Sequence, residues 1–526
     1  MKLRAPWAIA LAALLTYAFT GGGRIVGSDE VTMFELARAV AHGDIRVPEG
    51  ATMRGPDGQT YSKNTWGEAL LALPLVVLGD GAARAAGFQG ERAEWAARFV
   101  ASFFNAIVAA LLLAALYITL RDRRVSARAS LAAAVALGFT TPLWIYAKSF
   151  MAEPLEALGL LLALAGAARA GATERTAGPG APAEPRAAER VAALGAFLAI
   201  SAKLGVAPLA LTCLTALGFR RPRAWLVPLA GVALALAGHA LYDYMRFGSA
   251  FETGYGAQAS ASAFTTPLFV GVYGLLLSSG KGVAWFAPVM WLAPVGVAAM
   301  VRSRQHSEAA RAPTEHPSGD DVRRAGWAIA AAWALALVIY GRFQHWGGDG
   351  SWGPRYLVPV LPLGALAFGF AVDAAPKARK RVAWLLAAAG LIVTLGGVGI
   401  YFGAQMREAG DYPYTLALED PHFMEASHWD PRFSPIAGHW RMLLRNTGEH
   451  LRGQQPSLAQ TGDVDPRTGI THEGEQALLH AIDVWWLYAG YAGIPKLPLG
   501  AVAVALLFAS GWAWSRAWAA VREDRA

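Results

Sequence analysis

Cysteine is nearly absent: one, Cys213, occurs in 526 residues. That excludes a disulfide framework and a cysteine-based metal site. Charge is scarce too, at 16% Asp, Glu, Lys and Arg, against roughly 25% in an ordinary soluble chain. A string of water-soluble domains is therefore not the expectation. The sequence also lacks a Gly-rich phosphate loop, a dinucleotide fingerprint and a G-x-S-x-G nucleophile elbow. No repeat of roughly 20–50 residues suggests a solenoid, and no inverted repeat of the transporter kind stands out.

What the chain has in quantity is apolar surface. Hydrophobic residues make up 55% of it and mean hydropathy is +0.34. They come in blocks of about 17 to 25 residues, the length that crosses a hydrocarbon core. The expected fold is an all-α polytopic membrane protein. The net charge of +8 does not point to nucleic acid, because Arg and Lys cluster in short loops such as "RDRRVSAR" and "KARKR", as the positive-inside rule requires of cytoplasmic loops. The opening "MKLRAPWAIALAALLTYAFTGGG" resembles a signal peptide but has no convincing small-x-small cleavage site, so it reads as an uncleaved first span.

Lys2 and Arg4 hold the N-terminus inside, and a first span over about 7–22 carries Asp29 to the outer face. Further spans fit about 98–120, 129–147, 153–170, 224–243, 281–300, 325–341, 356–374, 382–402 and 497–515. Residues 191–219, basic at both ends, are long for one span; they read either as one span or as two short helices meeting near Lys203, and only the hairpin returns both flanks to the inside. The total is about 12 transmembrane helices. Three outer segments result: a long first loop (23–96), about 244–279, and about 403–495. The expected organisation is a transmembrane module (1–402), an outer-face segment (403–495), then a last helix and cytoplasmic tail (496–526). Within the first loop, "EALLALPLVVLG" (68–79) is short for a span and suits an interfacial helix.

Polar residues at the outer mouths of spans are where function is to be sought. In "GSDEVTMFELARAVA" Ser28 reads as a helix N-cap with Asp29 and Glu30 in the first turn. The pair either answers the helix dipole or supplies an ionised general base or metal ligand. "TYSKNTWGEALLALP" contributes Tyr61, Lys63 and Trp66, readable as interface anchors or, for Lys63, as a point charge for an anionic headgroup. Lys148 and Glu153 in "YAKSFMAEP" are either a local ion pair or part of a site. "RFGSAFETGYG" offers Arg246, Glu252 and Tyr255, "SSGKGVAWFAP" adds Lys281, and "HWGGDGSWGPRYLVP" holds His345, Trp346, Asp349, Trp352 and Arg355, its tryptophans equally readable as interface anchors. A phosphate beside an acyl chain needs such Lys and Arg groups, and a sugar ring wants carboxylates and tryptophan faces. His422, His428, His439, His450, His472 and His480 fall in the last outer segment without metal-ligand spacing, so they read as solvated.

These stretches together resemble the GT-C superfamily, polytopic glycosyltransferases that take sugar from a polyprenyl-phosphate carrier. "SDE" is similar to the acidic motif those enzymes carry at the start of the first outer loop. "TYSKNTWGEALLALP" is similar to a motif of the bacterial lipid A aminoarabinose transferases whose lysine meets the lipid phosphate, although Ser62 and Asn64 replace its acid and proline. Protein O-mannosyltransferase-like proteins are the other relatives suggested. The resemblance covers about 1–402 and implies inverting transfer to an acceptor hydroxyl at the outer face of a bacterial cytoplasmic membrane. It implies Asp29, then Glu30, as base, and Lys63, Lys148, Lys281 and Arg355 as candidates for the lipid phosphate. The remaining contacts to lipid phosphate and sugar would come from Tyr61, Glu153, Arg246, Glu252, His345 and Trp346. The implied partners are the donor, a lipid, glycan or protein acceptor, and membrane lipid, with no nucleic acid. A divalent cation (Mg or Mn) is left open, with Asp29 and Glu153 as its ligands if one is used. The alternatives are a transporter or flippase, which needs charges near the bilayer midplane such as Lys203 or His239, and an oligosaccharide polymerase or ligase working from the late outer segment.

Overall fold

The structure is a computed structural model describing residues 4–48, 50–176, 186–219, 222–256, 260–303, 319–348, 350–403, 421–454, 482–491 and 494–524. Asp349, His472 and His480, with the side chain of His422, lie outside the described residues. The chain is an all-α polytopic membrane protein. Among the described residues seven helical stretches are long and apolar enough to span: Glu91–Asp122, Glu153–Ala172, Pro222–Phe247, Gly319–Arg342, Arg355–Val372, Lys377–Gly399 and Lys496–Glu523. Shorter apolar helices at Ala5–Thr20, Ala127–Phe139, Leu204–Leu217 and Pro288–Val301 fall where further crossings are expected.

Helix α1 (Ala5–Thr20) leads to α2 (Ser28–Ala41). A hairpin of β1 (Thr52–Arg54) and β2 (Thr60–Ser62) follows, antiparallel with Met53 opposite Tyr61. Next come α3 (Gly67–Ala85), α4 (Glu91–Ala101) and α5 (Phe104–Asp122). The expected short interfacial block is thus the first two thirds of a 19-residue helix that tolerates Pro74 in its interior. The span expected over 129–147 is divided by Pro142 into α6 (Ala127–Phe139) and α7 (Leu143–Ala147), since proline cannot donate within a helix.

Helices α8 (Glu153–Thr176) and α9 (Arg186–Ala202) pack antiparallel through small residues. A Cβ on Gly159 would sit 2.4 Å from Ala199 N and one on Gly166 2.3 Å from Ala192 N, the close backbone approach that small residues allow between apolar helices. The chain turns at Lys203 and returns as α10 (Ala207–Leu214), whose continuation brings Leu217 O back to Gly171 of α8. The 191–219 stretch is therefore a hairpin with Lys203 at its tip, as its basic flanks require. Helix α11 (Leu226–Phe247) runs parallel to α9, with Gly231 on Ala193 and His239 bonded to Ile200 O at 2.7 Å.

The rest of the bundle is α12 (Leu268–Leu277), α13 (Val283–Phe286), α14 (Ala293–Val301), α15 (Gly319–Arg342), α16 (Leu361–Val372) and α17 (Lys377–Gly399). Pro288 breaks the span expected over 281–300 into α13 and α14. The late segment contributes α18 (Pro421–Trp429), α19 (Pro435–Leu451) and α20 (Trp485–Tyr491) before α21 (Lys496–Glu523), which packs along α1. Asp29 on α2, Glu153 opening α8, the Lys203 tip and Arg355 at the head of the α16 stretch gather at one end of the bundle.

Candidate active site

The start of α2 divides two adjacent acids between different jobs. Its N-cap is Gly27 and not Ser28; the capping group is Glu30, whose Oε2 accepts the Gly27 N–H at 2.8 Å. Oε1 of Glu30 accepts the Phe150 N–H at 2.7 Å, and the residue is 1% exposed. Burial raises its pKa, an effect the Phe150, Gly27 and Val26 N–H groups oppose in part. One residue earlier, the Asp29 side chain keeps 27% exposure. Burial alone would push its carboxyl up, but Arg355, through charge and hydrogen bond, with Asn64 and the Lys203 charge, outweighs it and holds Asp29 below the usual carboxylate range.

Arg355 is the hub. Its Nη1 donates to Asp29 Oδ2 at 3.2 Å while its Nε donates to Glu153 Oε1. The guanidinium fork suits such bridging because its donors are planar and always charged. Asn64 Nδ2 donates to Asp29 Oδ1 at 3.4 Å, and Tyr255 OH donates to Asn64 Oδ1 at 3.5 Å. Lys63 Nζ lies 5.4 Å from the Tyr255 ring centroid and Lys203 Nζ 5.1 Å from that of Tyr356. Beyond these rings, neither ammonium makes a hydrogen bond or ion pair among the described residues. Tyr356 stacks on Tyr340 at 4.8 Å, which fixes the platform. Behind Arg355, Glu153 and Glu156 are buried, and Glu153 Oε2 and Glu156 Oε1 have no hydrogen-bond partner among the described residues.

Of the sequence candidates, Asp29, Lys63, Glu153 and Arg355 meet here, and Asn64, Lys203, Glu156 and Tyr356 join them. Lys148 and Glu153 are not a local pair: Lys148 binds Asp483 (Nζ to Oδ2, 3.0 Å) and Val398 O, and Glu153 binds Arg355. Lys281 is buried and donates to Ser351 O at 2.6 Å. Arg246 is buried against Asp243 and Ser62 O. Tyr61 OH donates to Asp57 at 2.6 Å, and Glu252 is exposed and accepts Gly254 N–H at 3.1 Å. His345 lies against the Phe343 ring at 5.6 Å. Trp346 and Trp352 are not interface anchors: both are buried, on His428 at 5.2 Å and His439 at 4.4 Å. Those two histidines are correspondingly buried and not solvated, and burial pushes His439 down to about 3.

A divalent cation does not fit the pair proposed for it. Arg355 occupies the position between Asp29 and Glu153, and a second cation there would be repelled. Among the described residues no group of three or more His, Cys, Asp or Glu side chains is arranged to hold a metal.

No family model matches the chain, and no curated protein matches it. Among solved structures it is similar to ArnT from Cupriavidus metallidurans bound to undecaprenyl phosphate, with 16% identity over 95% of this chain and 77% of that one and a TM-score of 0.47. It is also similar to the archaeal oligosaccharyltransferase AglB from Archaeoglobus fulgidus in complex with an inhibitory peptide and a dolichol-phosphate, with 14% identity, coverage of 79% and 61%, and a TM-score of 0.43. The apo oligosaccharyltransferase of Archaeoglobus fulgidus gives 15% identity, coverage of 94% and 72%, and a TM-score of 0.42.

Proposed function

We propose that the protein is a membrane glycosyltransferase of the GT-C kind, moving a sugar from a polyprenyl-phosphate donor to an acceptor hydroxyl with inversion, at the periplasmic face of a bacterial cytoplasmic membrane. The observation that carries this reading is Asp29: an ionised, half-buried carboxylate oriented by Arg355 and Asn64, beside two lysines that make no ion pair among the described residues. Asp29 takes the proton of the acceptor hydroxyl as its oxygen attacks the anomeric carbon. The bond from that carbon to the phosphate oxygen breaks, and the electron pair leaves with the lipid phosphate. Lys63 and Lys203 neutralise the charge that develops on it, which is general-base plus electrostatic catalysis. Glu30 is a capping group in this scheme, and Lys148 and Lys281 are structural. Lys203, the charge a transporter reading would need, is the tip of a helix hairpin and acts on Asp29, which supports the transferase reading.

The test is transfer of radiolabelled sugar from a panel of polyprenyl-phosphate donors into membrane acceptors by protein reconstituted in lipid. Product of inverted anomeric configuration, lost in Asp29→Asn, is the expected result. Movement of intact donor across the bilayer without transfer would replace this reading with a flippase.

A further inference from the structure

A second charged cluster lies beside the candidate active site and takes no part in the chemistry above. Arg24 follows α1, Lys148 follows α7, Glu30 opens α2, and Asp483 arrives from the far end of the chain. Asp483 Oδ1 accepts from Arg24 Nε at 2.9 Å and its Oδ2 lies 3.0 Å from Lys148 Nζ. Both ion pairs are buried, with side-chain exposures of 4–6%. A cavity of about 10 Å3 lies among these four residues, and Ser149, Gly397, Tyr401 and Phe402 are part of its wall.

The backbone around Asp483 joins parts of the chain that are distant in sequence. Asp483 N–H donates to Gly399 O at 2.7 Å at the end of α17, and Trp485 N–H donates to Gly21 O at 2.8 Å at the end of α1. The indole N–H groups of Trp485 and Trp486 bond Ala18 O and Phe19 O. From the cluster a short path leads to the reacting groups. Lys148 is two residues from Phe150, whose N–H binds Glu30, the neighbour of Asp29. Glu153 follows three residues later and holds Arg355.

We propose that Asp483 is a positioning residue, tying Arg24 and Lys148 together so that the 148–153 turn and the first turn of α2 present Glu153 and Asp29 to Arg355 in register. This rests on the glycosyltransferase reading for its consequence, but not for its geometry. Four buried charges sum to zero here. Without Asp483, two cations face Glu30, the other carboxylate lining the same cavity. Glu30 then leaves the N–H groups of Gly27 and Phe150, and the α2 turn loses its register. A misplacement of about 1 Å at a reacting group costs on the order of 100-fold in rate.

Two readouts separate this from a general loss of stability. Asp483→Asn should lower kcat by about 10- to 100-fold while donor KM changes less than about threefold, and Asp483→Glu should recover part of the loss. Cys213 is buried and the chain has no other cysteine, so Ser149→Cys, buried in the turn itself, can report by reaction with an impermeant maleimide. It should be protected in the parent and reactive when combined with Asp483→Asn. Arg432→Ala, an exposed change in the same late segment, should leave both readouts unchanged. Where Asp483→Asn does not yield folded protein, Asp483→Asn with Lys148→Met removes one charge of each sign and carries the same test. Wild-type kcat in these variants overturns the proposal, as does a lowered kcat with Ser149→Cys still protected. If the parent transfers no sugar at all, the functional reading fails, and the maleimide rates alone decide the role of Asp483.

Discussion

Two charged clusters built from neighbouring residues end up with opposite characters. Asp29 and Glu30 are adjacent in sequence, and Lys148 and Glu153 share one turn, yet each pair is split between the clusters. The cluster around Asp483 is closed: its carboxylates and cations are nearly inaccessible and answer one another or backbone groups. The cluster around Arg355 is open: Asp29 is reachable, and Lys63 and Lys203 lie on tyrosine rings and make no ion pair among the described residues. Similar residue types thus serve as scaffold where every charge is satisfied and as a candidate active site where some are not. A buried, paired charge costs its own desolvation and is unavailable to substrate. A half-exposed charge held by one partner can exchange that partner for a reacting group.

The comparison is broken most severely at Asp29. Asp29→Asn should reduce kcat by about 100- to 10,000-fold, the usual contribution of a positioned general base, with melting temperature little changed. Arg355→Met should come next, because it removes the contact to both carboxylates. Its pH-rate profile should also move: Arg355 keeps the Asp29 pKa below its ordinary value, so without it burial raises that pKa. The acid limb, where activity is lost as Asp29 protonates, then shifts to higher pH. An unmoved limb would mean that Asp29 is not the titrating base.

Smaller effects should mark the closed side and the rim. Glu30→Gln leaves at least one of its backbone N–H donors without a carboxylate partner and should cost about 1–3 kcal/mol of stability, measured by thermal unfolding in detergent, with kcat falling far less than for Asp29→Asn. Lys63→Ala should lower kcat and raise donor KM, each by roughly 3- to 10-fold, in line with the loss of one half-buried point charge on the lipid phosphate.

Much of the architecture was legible in the sequence, because crossing a membrane demands long apolar blocks and basic loops mark their cytoplasmic ends. The basic flanks of 191–219 pointed to a hairpin with its tip near Lys203 but left a single span open. The breaks at Pro142 and Pro288 went unread, since apolar composition continues through both. At the site, Asp29, Lys63, Glu153 and Arg355 stood out as charges at span mouths, but their partners did not. Lys148 and Glu153 look like a local pair, and only the approach of residues 355 and 483 separates them. Asp483 carried no signal in "HAIDVWW", because its role depends on Gly21 and Gly399, remote in sequence. Burial of His428 and His439 was equally unreadable, since tertiary packing against Trp346 and Trp352 decides it.

The difference between the two clusters is tested most directly by the turnover of Asp29→Asn against that of Glu30→Gln, under saturating polyprenyl-phosphate donor and on folded protein. Loss of transfer by about 100- to 10,000-fold in the first, with a much smaller loss in the second because Gln still accepts one of the backbone N–H groups, is the expected result. Equal turnover in the two variants, whether both active or both inactive with folding intact, would contradict the assignment of Asp29 to chemistry and Glu30 to structure.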